Sequence, residues 1–274
     1  MLNYILPLQD ERFEVTNASF SENRSFLFGD GFFETIRLNN KGIMPLAGHH
    51  AARIARSAAL LQFPGIHSFS SHDLHTLFHR IPGSEDWKGM KLKLIFFRQG
   101  KGGFAPEAYC KTMVFASASD LRLPFISRIE SVSVAESLRI FPSEFAGIKS
   151  TSALPYVMAG MERKRKACDE IILLSPDGFV VEGSFTSICW KDDDGIHFTP
   201  RELGGIDSVS RRFLEDFFGS APVSFSEKRI TPGELLKNSH WICFSSALGL
   251  RFFTPQAGHD FLPEIFAGAG MDDL

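Results

Sequence analysis

The chain has 274 residues, more than one hydrophobic core usually holds, so one large domain or two modest domains are expected. Hydrophobic residues make up 44% of the chain and charged residues 22%, a balance typical of globular proteins, and the formal net charge is -3. The densest basic run, residues 163–166 (RKRK), falls at the end of a predicted helix and is expected to be a solvated face. Nucleic-acid binding is therefore not expected.

The cysteines indicate a reducing compartment. No two of them form a CxxC pair, so neither a zinc ribbon nor a redox motif is expected, and a chain of this length needs no disulfides. Residues 1–4 contain no basic region before an apolar run, which argues against a signal peptide. No run of 18 apolar residues exists, so no membrane span and no membrane partner are expected. The sequence therefore predicts a cytoplasmic protein.

In the first half of the chain, short apolar runs alternate with polar breaks. Residues 1–40 are typical of strand structure that ends at Leu38, and residues 39–42 (NNKG) predict a hairpin turn. The elements predicted after this turn are helices over residues 49–61 and 71–81 and strands over residues 90–98 and 112–118. A glycine-rich loop over residues 99–106 separates the last two strands.

A proline-containing stretch with little periodicity, residues 121–127, marks the expected domain boundary. It divides the chain into a domain of residues 1–120 and a domain of residues 121–274. The elements predicted in the second domain are strands over residues 131–135, 170–174 and 241–245, a strand-rich stretch over residues 180–190, and helices over residues 152–166 and 209–218. Strands and helices mixed in both halves predict an α/β or α+β protein.

Two other kinds of site receive little support. His72, His75 and His79 lie on one face of a predicted helix, but no Asp, Cys or Glu completes a ligand set, so no metal site is expected. The run Gly100–Gly103 lacks the spacing and the Ser/Thr of a phosphate-binding P-loop. No Gly-x-Ser-x-Gly motif of a serine hydrolase occurs.

Six segments between about residue 26 and residue 252 resemble, in the right order, the motifs of the class IV aminotransferases, the fold-type-IV family of pyridoxal-phosphate enzymes. They are residues 28–37 (FGDGFFETIR) for the N-terminal motif, 50–53 (HAAR) for the phosphate arginine, 147–150 (GIKS) for the Schiff-base lysine, 169–170 with 181–184 (VEGS) for the ring nitrogen, 198–200 with 206–211 (IDSVSR) for the phosphate turn, and 245–249 (SSALG) for the last cofactor loop. Each motif alone is weak, and the agreement lies in their order.

The resemblance implies that pyridoxal 5'-phosphate is held covalently by Lys149 as a Schiff base. Taken alone, Lys149, Glu182 and Arg53 would each be an ordinary solvated or ion-paired side chain. A lysine amine forms an imine with an aldehyde once it has lost its proton, which burial and nearby positive charge favour. A carboxylate such as Glu182 keeps the pyridine nitrogen protonated, and the ring then withdraws electrons from the substrate.

The phosphate group needs fixed hydrogen-bond donors. Arg53 is expected to supply a fork of N–H groups. The backbone N–H groups of Val209 and Ser210 open a predicted helix, which suits an anion. Ser246 and Ala247 are expected to add further donors.

The chain departs from the family pattern at three positions. Serine stands at position 187, where the family usually has asparagine, and cysteine at position 189, where it usually has an aromatic residue. Serine also replaces the more common glycine of the phosphate turn at position 208. None of these changes removes a group that performs chemistry.

The expected substrate pocket includes Phe28, Arg98, Lys101 and Tyr156. Branched-chain aminotransferases carry a tyrosine five residues after the lysine, where this chain has Leu154, and Tyr156 is a possible substitute. The Arg-x-His trap of the D-amino-acid enzymes is replaced by residues 103–105 (GFA). The run of residues 98–103 (RQGKGG) is closer to the aminodeoxychorismate lyases, with Lys101 in place of their additional arginine.

Three functions remain open at this point. The first is a class IV aminotransferase acting on a small amino acid or amine. The second is a lyase that releases pyruvate and p-aminobenzoate from 4-amino-4-deoxychorismate, and the third is a member that binds the cofactor without turnover. The resemblance also implies a smaller N-terminal α/β domain, a larger C-terminal domain with a barrel-like sheet, a cofactor in the cleft between them, and a homodimer.

Overall fold

The structure is a computed structural model that describes residues 2–7, 22–121, 124–220 and 223–255. Backbone contacts divide the chain into two compact units. The first unit contains the described residues up to 121 together with Ile148–Ala153. The second contains residues 124–147 and the described residues from Leu154 onward. The predicted boundary at residues 120 and 121 stays a prediction.

The described residues form a mixed set of strands and helices. The strands are β1 (Leu2–Pro7), β2 (Gly31–Arg37), β3 (Met90–Gln99), β4 (Lys111–Asp120), β5 (Ile126–Arg128), β6 (Val132–Arg139), β7 (Glu170–Leu174), β8 (Val180–Gly183), β9 (Ser187–Asp192), β10 (Gly195–Phe198), β11 (Phe225–Glu227), β12 (Trp241–Ser246) and β13 (Gly249–Phe253). The α-helices are α1 (Arg24–Phe28), α2 (Ala47–Leu60), α3 (Ser71–His79), α4 (Leu154–Arg165), α5 (Val209–Ser220) and α6 (Pro232–Asn238). No helix among these is long and apolar enough to cross a membrane.

The first unit is an antiparallel sheet covered by helices. Its strand order is β1-β4-β3-β2 among the described residues. Along β2 and β3, alternate side chains are buried, as period-2 patterning requires. The buried face contains Phe32, whose ring stacks on Phe96 at a centroid distance of 4.8 Å, and it packs with α2 and α3 into one core. Ser70 and Asp73 form a capping box that fixes the start of α3.

The chain returns to the first unit at Ile148–Ala153. The carbonyl of Lys149 accepts a 2.9 Å hydrogen bond from the N–H of Phe33, and the N–H of Thr151 donates to the carbonyl of Gly31 at 2.9 Å. Ile148 is buried in the core of this unit. The segment therefore lies along β2 and extends the unit beyond its four strands.

The second unit contains two sheets. The larger sheet has the order β11-β10-β9-β12-β13-β5 and the smaller has the order β6-β7-β8, counted over the described residues. All five residues of β7 are buried, as expected for a strand covered on both faces. α4 packs against β6 and β7, and α5 packs against β9 and β12. These packings place the N-terminal end of α5 next to the larger sheet.

Most long periodic elements were predicted correctly, whereas two local predictions were wrong. The strand β7 has the predicted bounds, and α5 begins at the predicted residue. The predicted hairpin at residues 39–42 is a turn, but it leads through residues 43–46 into α2, because β2 pairs with β3 instead. Residues 24–28, predicted as strand structure, form α1 between the Asn23 cap and Gly29, whose φ is 67°. The strand prediction over residues 8–21 lies outside the described residues.

Candidate active site

Lys149 lies in the first unit, half-buried on the segment that extends β2. Its backbone carbonyl is tied to β2 by the Phe33 N–H. Its Nζ lies 4.7 Å from the centroid of the Phe33 ring, so the amine stands over an aromatic face. The close packing of this segment is visible at Gly29, where an added Cβ would lie 2.0 Å from Oγ of Ser152. The backbone of the lysine is thus held against β2 by hydrogen bonds.

Arg53 lies on α2 in a buried ion-pair cluster. Its Nε donates to Oε1 of Glu34 at 2.7 Å, and its Nη2 donates to Oε2 at 2.6 Å. Nδ1 of His50 lies 2.6 Å from the same Oε2. Burial alone would raise the pKa of Glu34, but the charge and hydrogen bonds of Arg53 and the hydrogen bond of His50 lower the pKa to about 2. Burial lowers the pKa of His50, so its ring is neutral at neutral pH.

Glu182 is the penultimate residue of β8 in the second unit, and its buried carboxylate accepts hydrogen bonds from two distant parts of the chain. The phenol O–H of Tyr156, on α4, donates to Oε1 at 2.6 Å. The backbone N–H of Ile206 donates to Oε2 at 3.1 Å. Tyr156 was predicted as a substrate-pocket residue, and the structure places its hydroxyl on Glu182. The two donors come from positions 26 and 24 residues away along the chain, so the carboxylate is fixed by tertiary contacts.

A cavity of about 320 Å³ opens at Glu182 within the second unit. It is lined mainly by the stretch before Lys149, by the ends of β8 to β10, and by the turn before α5. The polar side chains in its lining include Glu182, Ser187, Thr199, Asp207, Arg211 and Arg212. A Cβ added to Gly205 would lie 3.6 Å from Oε2 of Glu182 and 3.2 Å from Val181. The glycine therefore keeps space open beside the carboxylate. Small-molecule sites typically have volumes of about 300–1,000 Å³, so this cavity is at the lower end.

The turn after Glu182 is held by a second buried carboxylate. Oε1 of Glu170 accepts from the N–H and the hydroxyl of Ser184, at 3.0 and 2.6 Å. Its Oε2 accepts from Thr186 at 3.2 Å and pairs with Arg251. The turn between β8 and β9 is thus fixed from inside the fold, and with it the spacing between Glu182 and Ser187.

The predicted phosphate turn contains a continuous line of serine hydroxyls. Ser208 precedes α5, and its Oγ accepts from the N–H of Arg211 at 3.4 Å. Its Oγ lies 2.8 Å from that of Ser210, which donates to Oγ of Ser245 at 3.1 Å. The hydroxyl of Ser187 lies 2.7 Å from the same Ser245 atom. Two of the departures from the family pattern, Ser187 and Ser208, are therefore joined to the predicted phosphate residue Ser210 by hydrogen bonds.

The remaining predicted cofactor residues lie at the edges of this region. Val209 is the buried first residue of α5. Ser246 ends β12, where its hydroxyl accepts from the N–H of Leu248 at 3.2 Å and so closes the turn that contains Ala247. Cys189 is buried in β9 directly opposite Cys243 of β12. The cysteine therefore contributes to the core rather than lining the cavity.

The glycine-rich loop of the first unit is anchored by Arg24, which the sequence did not single out. Its guanidinium donates to the carbonyls of Gly103 at 2.9 Å and Phe104 at 2.8 Å, and it pairs with Asp30 at 2.8 Å. Asp30 also pairs with Arg98. A buried Arg–Asp–Arg cluster thus underlies the loop.

The predicted substrate residues of the first unit differ in exposure. Arg98 is buried, pairs with Asp30, donates to the carbonyl of Leu61, and lies over the Phe63 ring at 4.2 Å. A substrate carboxylate would have to displace these contacts to reach it. Lys101 is exposed in the loop, and Phe28 is exposed with its ring 5.8 Å from that of Phe104. Of the two predicted cations, Lys101 is the accessible one.

No group of three or more His, Cys, Asp or Glu side chains that could hold a metal ion occurs within the described ranges. His72 and His79 are exposed on α3, and Nδ1 of His75 bonds to the carbonyl of Ser71 at 2.7 Å.

Three contacts of the candidate site were not predicted from the sequence: Glu34 with Arg53, Arg24 with the glycine-rich loop, and Tyr156 with Glu182. The first had a visible signal, because Glu34 is an acidic residue on the buried face of β2, between Phe32 and Ile36. Such a residue needs a cation. The other two join distant parts of the chain and left no local pattern.

Comparison with known sequences shows a family match over most of the chain. The family described as amino-transferase class IV matches residues 31–255. The chain is 26% identical over 195 residues to the aminodeoxychorismate lyase of Bacillus subtilis (strain 168), a match that covers 70% of this chain and 66%, just under two thirds, of that protein. It is also 26% identical over 223 residues to the D-alanine aminotransferase of Bacillus licheniformis, covering 78% and 75% of the two chains.

Solved structures show the same fold. The branched-chain aminotransferase from the archaeon Thermoproteus uzoniensis, solved with norvaline, has a TM-score of 0.78 at 20% identity, over 96% of this chain and 90% of that one. The 4-amino-4-deoxychorismate lyase from Pseudomonas aeruginosa has a TM-score of 0.73 at 21% identity, over 91% and 89% of the two chains. The mixed α/β architecture predicted from the sequence is confirmed by these neighbours.

Proposed function

The chain belongs to the class IV aminotransferase family, and from that premise we propose that it is a pyridoxal-phosphate-dependent aminotransferase acting on a small amino acid or amine. The observation that carries the proposal is Glu182: a buried carboxylate, held by two donors, that faces a cavity of about 320 Å³. A surface glutamate would need neither the donors nor the glycine that keeps space open beside it.

The residues present fit pyridoxal 5'-phosphate. Glu182 offers a carboxylate for the ring nitrogen, and Lys149 offers a half-buried amine that can carry the cofactor covalently. When bound, the cofactor ring withdraws electrons from the substrate α-carbon. Nζ of Lys149 would serve as the general base that takes the α-proton of the substrate. Phe33, next to that Nζ, restricts where the amine can move.

Phosphate binding is assigned to Arg53 and to the start of α5. The backbone N–H groups of Val209 and Ser210 open a helix of 12 residues, where an anion is stabilised by the helix dipole. The hydroxyl of Ser210 and the turn of Ser246 and Ala247 add donors. Glu34 accepts from Nε and Nη2 of Arg53 and so fixes the plane of the guanidinium, and the proposed phosphate contact therefore involves the Nη1 edge rather than this fork.

A lyase acting on 4-amino-4-deoxychorismate is the second candidate. It is supported by the Bacillus subtilis relative and by the glycine-rich loop, whose backbone can approach a flat ring closely. Lys101 is exposed there and can meet a carboxylate, whereas Arg98 is already paired. A substrate with two carboxylates would pair with two cations, and Lys101 is one accessible cation. For that reason the aminotransferase is the preferred function and the lyase the second candidate.

One set of experiments tests both the cofactor and the reaction. Purified protein loaded with pyridoxal 5'-phosphate should absorb as an imine, and borohydride reduction should fix the cofactor to the peptide that contains Lys149. Lys149→Ala should abolish both signals, and a reducible adduct that survives in this variant would place the cofactor elsewhere. Assays with a panel of amino donors and with 4-amino-4-deoxychorismate then separate transamination from pyruvate release. Binding without turnover of either would leave the third function, a cofactor-binding protein.

We also propose that the protein acts as a homodimer. α4 exposes four apolar side chains at the spacing of one helix face; they are Leu154, Val157, Met158 and Met161. A contiguous apolar stripe of this kind is typical of an interface, and a second copy of the chain is the proposed occupant. Light scattering of the purified protein tests the mass, and Met161→Glu should shift it to that of a monomer. The cytoplasmic localisation stays a prediction.

A further inference from the structure

Tyr156 and Glu182 lie on different elements and are joined by a hydrogen bond. Tyr156 is half-buried on α4, and its hydroxyl lies 2.6 Å from Oε1 of Glu182 on β8. A phenol O–H that donates to a carboxylate at this distance is a charge-assisted hydrogen bond, which is shorter and stronger than a neutral one. The second donor, the Ile206 N–H at 3.1 Å, is bound to the other oxygen. The two bonds together fix both the position and the plane of the carboxylate.

We propose that Tyr156 is a positioning residue for Glu182: its hydroxyl holds the carboxylate in its ionised form and in one orientation, so that Glu182 keeps the cofactor's ring nitrogen protonated. This inference rests on the proposed function, because it concerns the same carboxylate. It goes beyond the proposed function because it assigns control of the ring-nitrogen protonation to Tyr156 on α4, an element that does not contain Glu182.

The direction of the effect follows from simple electrostatics. A donor that bonds to the charged form of a carboxylate stabilises that form and makes the group a weaker base. In a pair made of a ring nitrogen and a carboxylate, a weaker base leaves the shared proton on the nitrogen. Removal of the phenol hydroxyl therefore shifts the proton from the ring toward Glu182, and the ring becomes a poorer electron acceptor.

The phenol is suited to act as a permanent donor. Burial, the charge of Glu182 and the hydrogen bond to it raise the pKa of Tyr156 far above its usual range. The hydroxyl consequently keeps its proton at neutral pH.

The test compares Tyr156→Phe with Tyr109→Phe. Tyr109 is 91% exposed, which makes it a matched control for the loss of one phenol hydroxyl. Each variant is loaded with pyridoxal 5'-phosphate labelled with ¹⁵N in the ring, and the ring-nitrogen resonance is recorded at one pH near neutrality. We expect the wild type and Tyr109→Phe to show a protonated nitrogen and Tyr156→Phe to shift toward the unprotonated position. Turnover of Tyr156→Phe should fall roughly tenfold, since a hydrogen bond to a charged group is being lost. A ring resonance in Tyr156→Phe equal to that of the wild type would overturn the proposal.

A measurement without cofactor keeps this result separate from failure of the proposed function. In the apoprotein labelled with [ζ-¹³C]tyrosine, the Tyr156 resonance should not titrate where free tyrosine does, near about pH 10. In Glu182→Gln it should begin to titrate at lower pH than in the wild type, because the neighbouring charge is gone. If the labelled cofactor does not bind the wild type, the proposed function fails while this titration still reports on the pair. A Tyr156 titration that is unchanged by Glu182→Gln overturns the pairing itself, even where Tyr156→Phe does not fold.

Discussion

Arg53 and Glu34 form a bidentate ion pair, with N–O distances of 2.7 and 2.6 Å. Both residues are buried, since 5% of Arg53 and 1% of Glu34 is exposed. His50 bonds to the same carboxylate. Burial of two charges is unfavourable unless their geometry is good and their remaining hydrogen-bonding groups are satisfied. The cluster meets that condition within the first unit, where it orients the arginine that is proposed to bind phosphate.

Replacement of one partner in this pair should be costly. We expect Glu34→Gln to lower the free energy of unfolding by about 3–5 kcal/mol at neutral pH, because the Arg53 charge is left buried without a counter-charge. The double variant Glu34→Gln/Arg53→Met, which removes both charges, should regain part of that loss. Urea unfolding measures both. A double variant less stable than Glu34→Gln would show that the unpaired Arg53 charge does not cause the loss of stability in the single variant.

The same pair predicts how stability changes in acid. The pKa of Glu34 falls from its ordinary 4.5 to about 2 on folding, so its contribution is complete above pH 4.5 and is lost as the pH drops toward 2. That contribution is on the order of 3 kcal/mol. The pKa of His50 is also lowered by folding, so its protonation in the unfolded chain destabilises the fold as the pH drops below 6.5. The difference in unfolding free energy between wild type and Glu34→Gln should narrow between pH 4.5 and pH 2, and a constant difference would contradict this assignment.

The glycine-rich loop should become mobile when its anchor is removed. Arg24 donates to the carbonyls of Gly103 and Phe104, and charge-assisted bonds of this kind contribute about 1.5–3 kcal/mol. Arg24→Met should therefore raise the rate of trypsin cleavage after Lys101 about ten- to a hundredfold. Cleavage after Lys111, which is exposed at the start of β4, provides the internal control. Equal acceleration at both sites would indicate general unfolding instead.

Lys101 provides the test of substrate selection. It is exposed in the loop, so Lys101→Ala should leave stability unchanged. We expect it to weaken use of a dicarboxylate substrate, with a higher KM, and to spare small monocarboxylate amino acids. Steady-state assays of kcat and KM with both substrate types decide the matter. An equal loss for both, or no loss, would show that this loop does not select the substrate.

The four thiols should differ in reactivity. Cys189 and Cys243 are both fully buried as a cross-strand pair of β9 and β12, and burial raises the pKa of the Cys243 thiol. Cys110 and Cys168 are half-buried, and burial also raises the pKa of Cys168. A thiol reagent should label Cys110 first, then Cys168, and should reach the buried pair only on unfolding. Mass spectrometry of timed samples reads out the order, and early labelling at Cys189 would contradict it.

The elements that could be predicted from the sequence are those specified by interactions between residues close together along the chain. Long periodic helices such as α2 and α5, and the continuous apolar run of β7, were predicted because their patterns are local. Short strands such as β10 and β11 were missed, since three or four residues carry too little pattern. α6 was missed although Thr231 and Glu234 form a capping box, because its apolar period is short.

In the candidate site, too, local features could be predicted and long-range contacts could not. Residue types and order were enough to single out Lys149, Glu182 and Arg53. Their partners were not, because the hydroxyl of Tyr156 reaches Glu182 across 26 positions and Glu34 reaches Arg53 across 19. The direction in which a side chain points depends on how elements pack, and a single sequence does not contain that information in readable form.

The return of Ile148–Ala153 to the first unit affects the order in which the protein can mature on the ribosome. Residues up to 121 supply the four strands, but Ile148 completes their core and the N–H of Thr151 donates to the carbonyl of Gly31, the first residue of β2. At about 5–20 residues per second, synthesis of the intervening chain takes roughly 2–6 s. During that interval the nascent first unit has an incomplete core and an unpaired stretch of β2. A truncated chain that stops near residue 121 should therefore fold poorly on its own. A chain that extends to residue 153 is the shortest that contains all the described parts of the first unit.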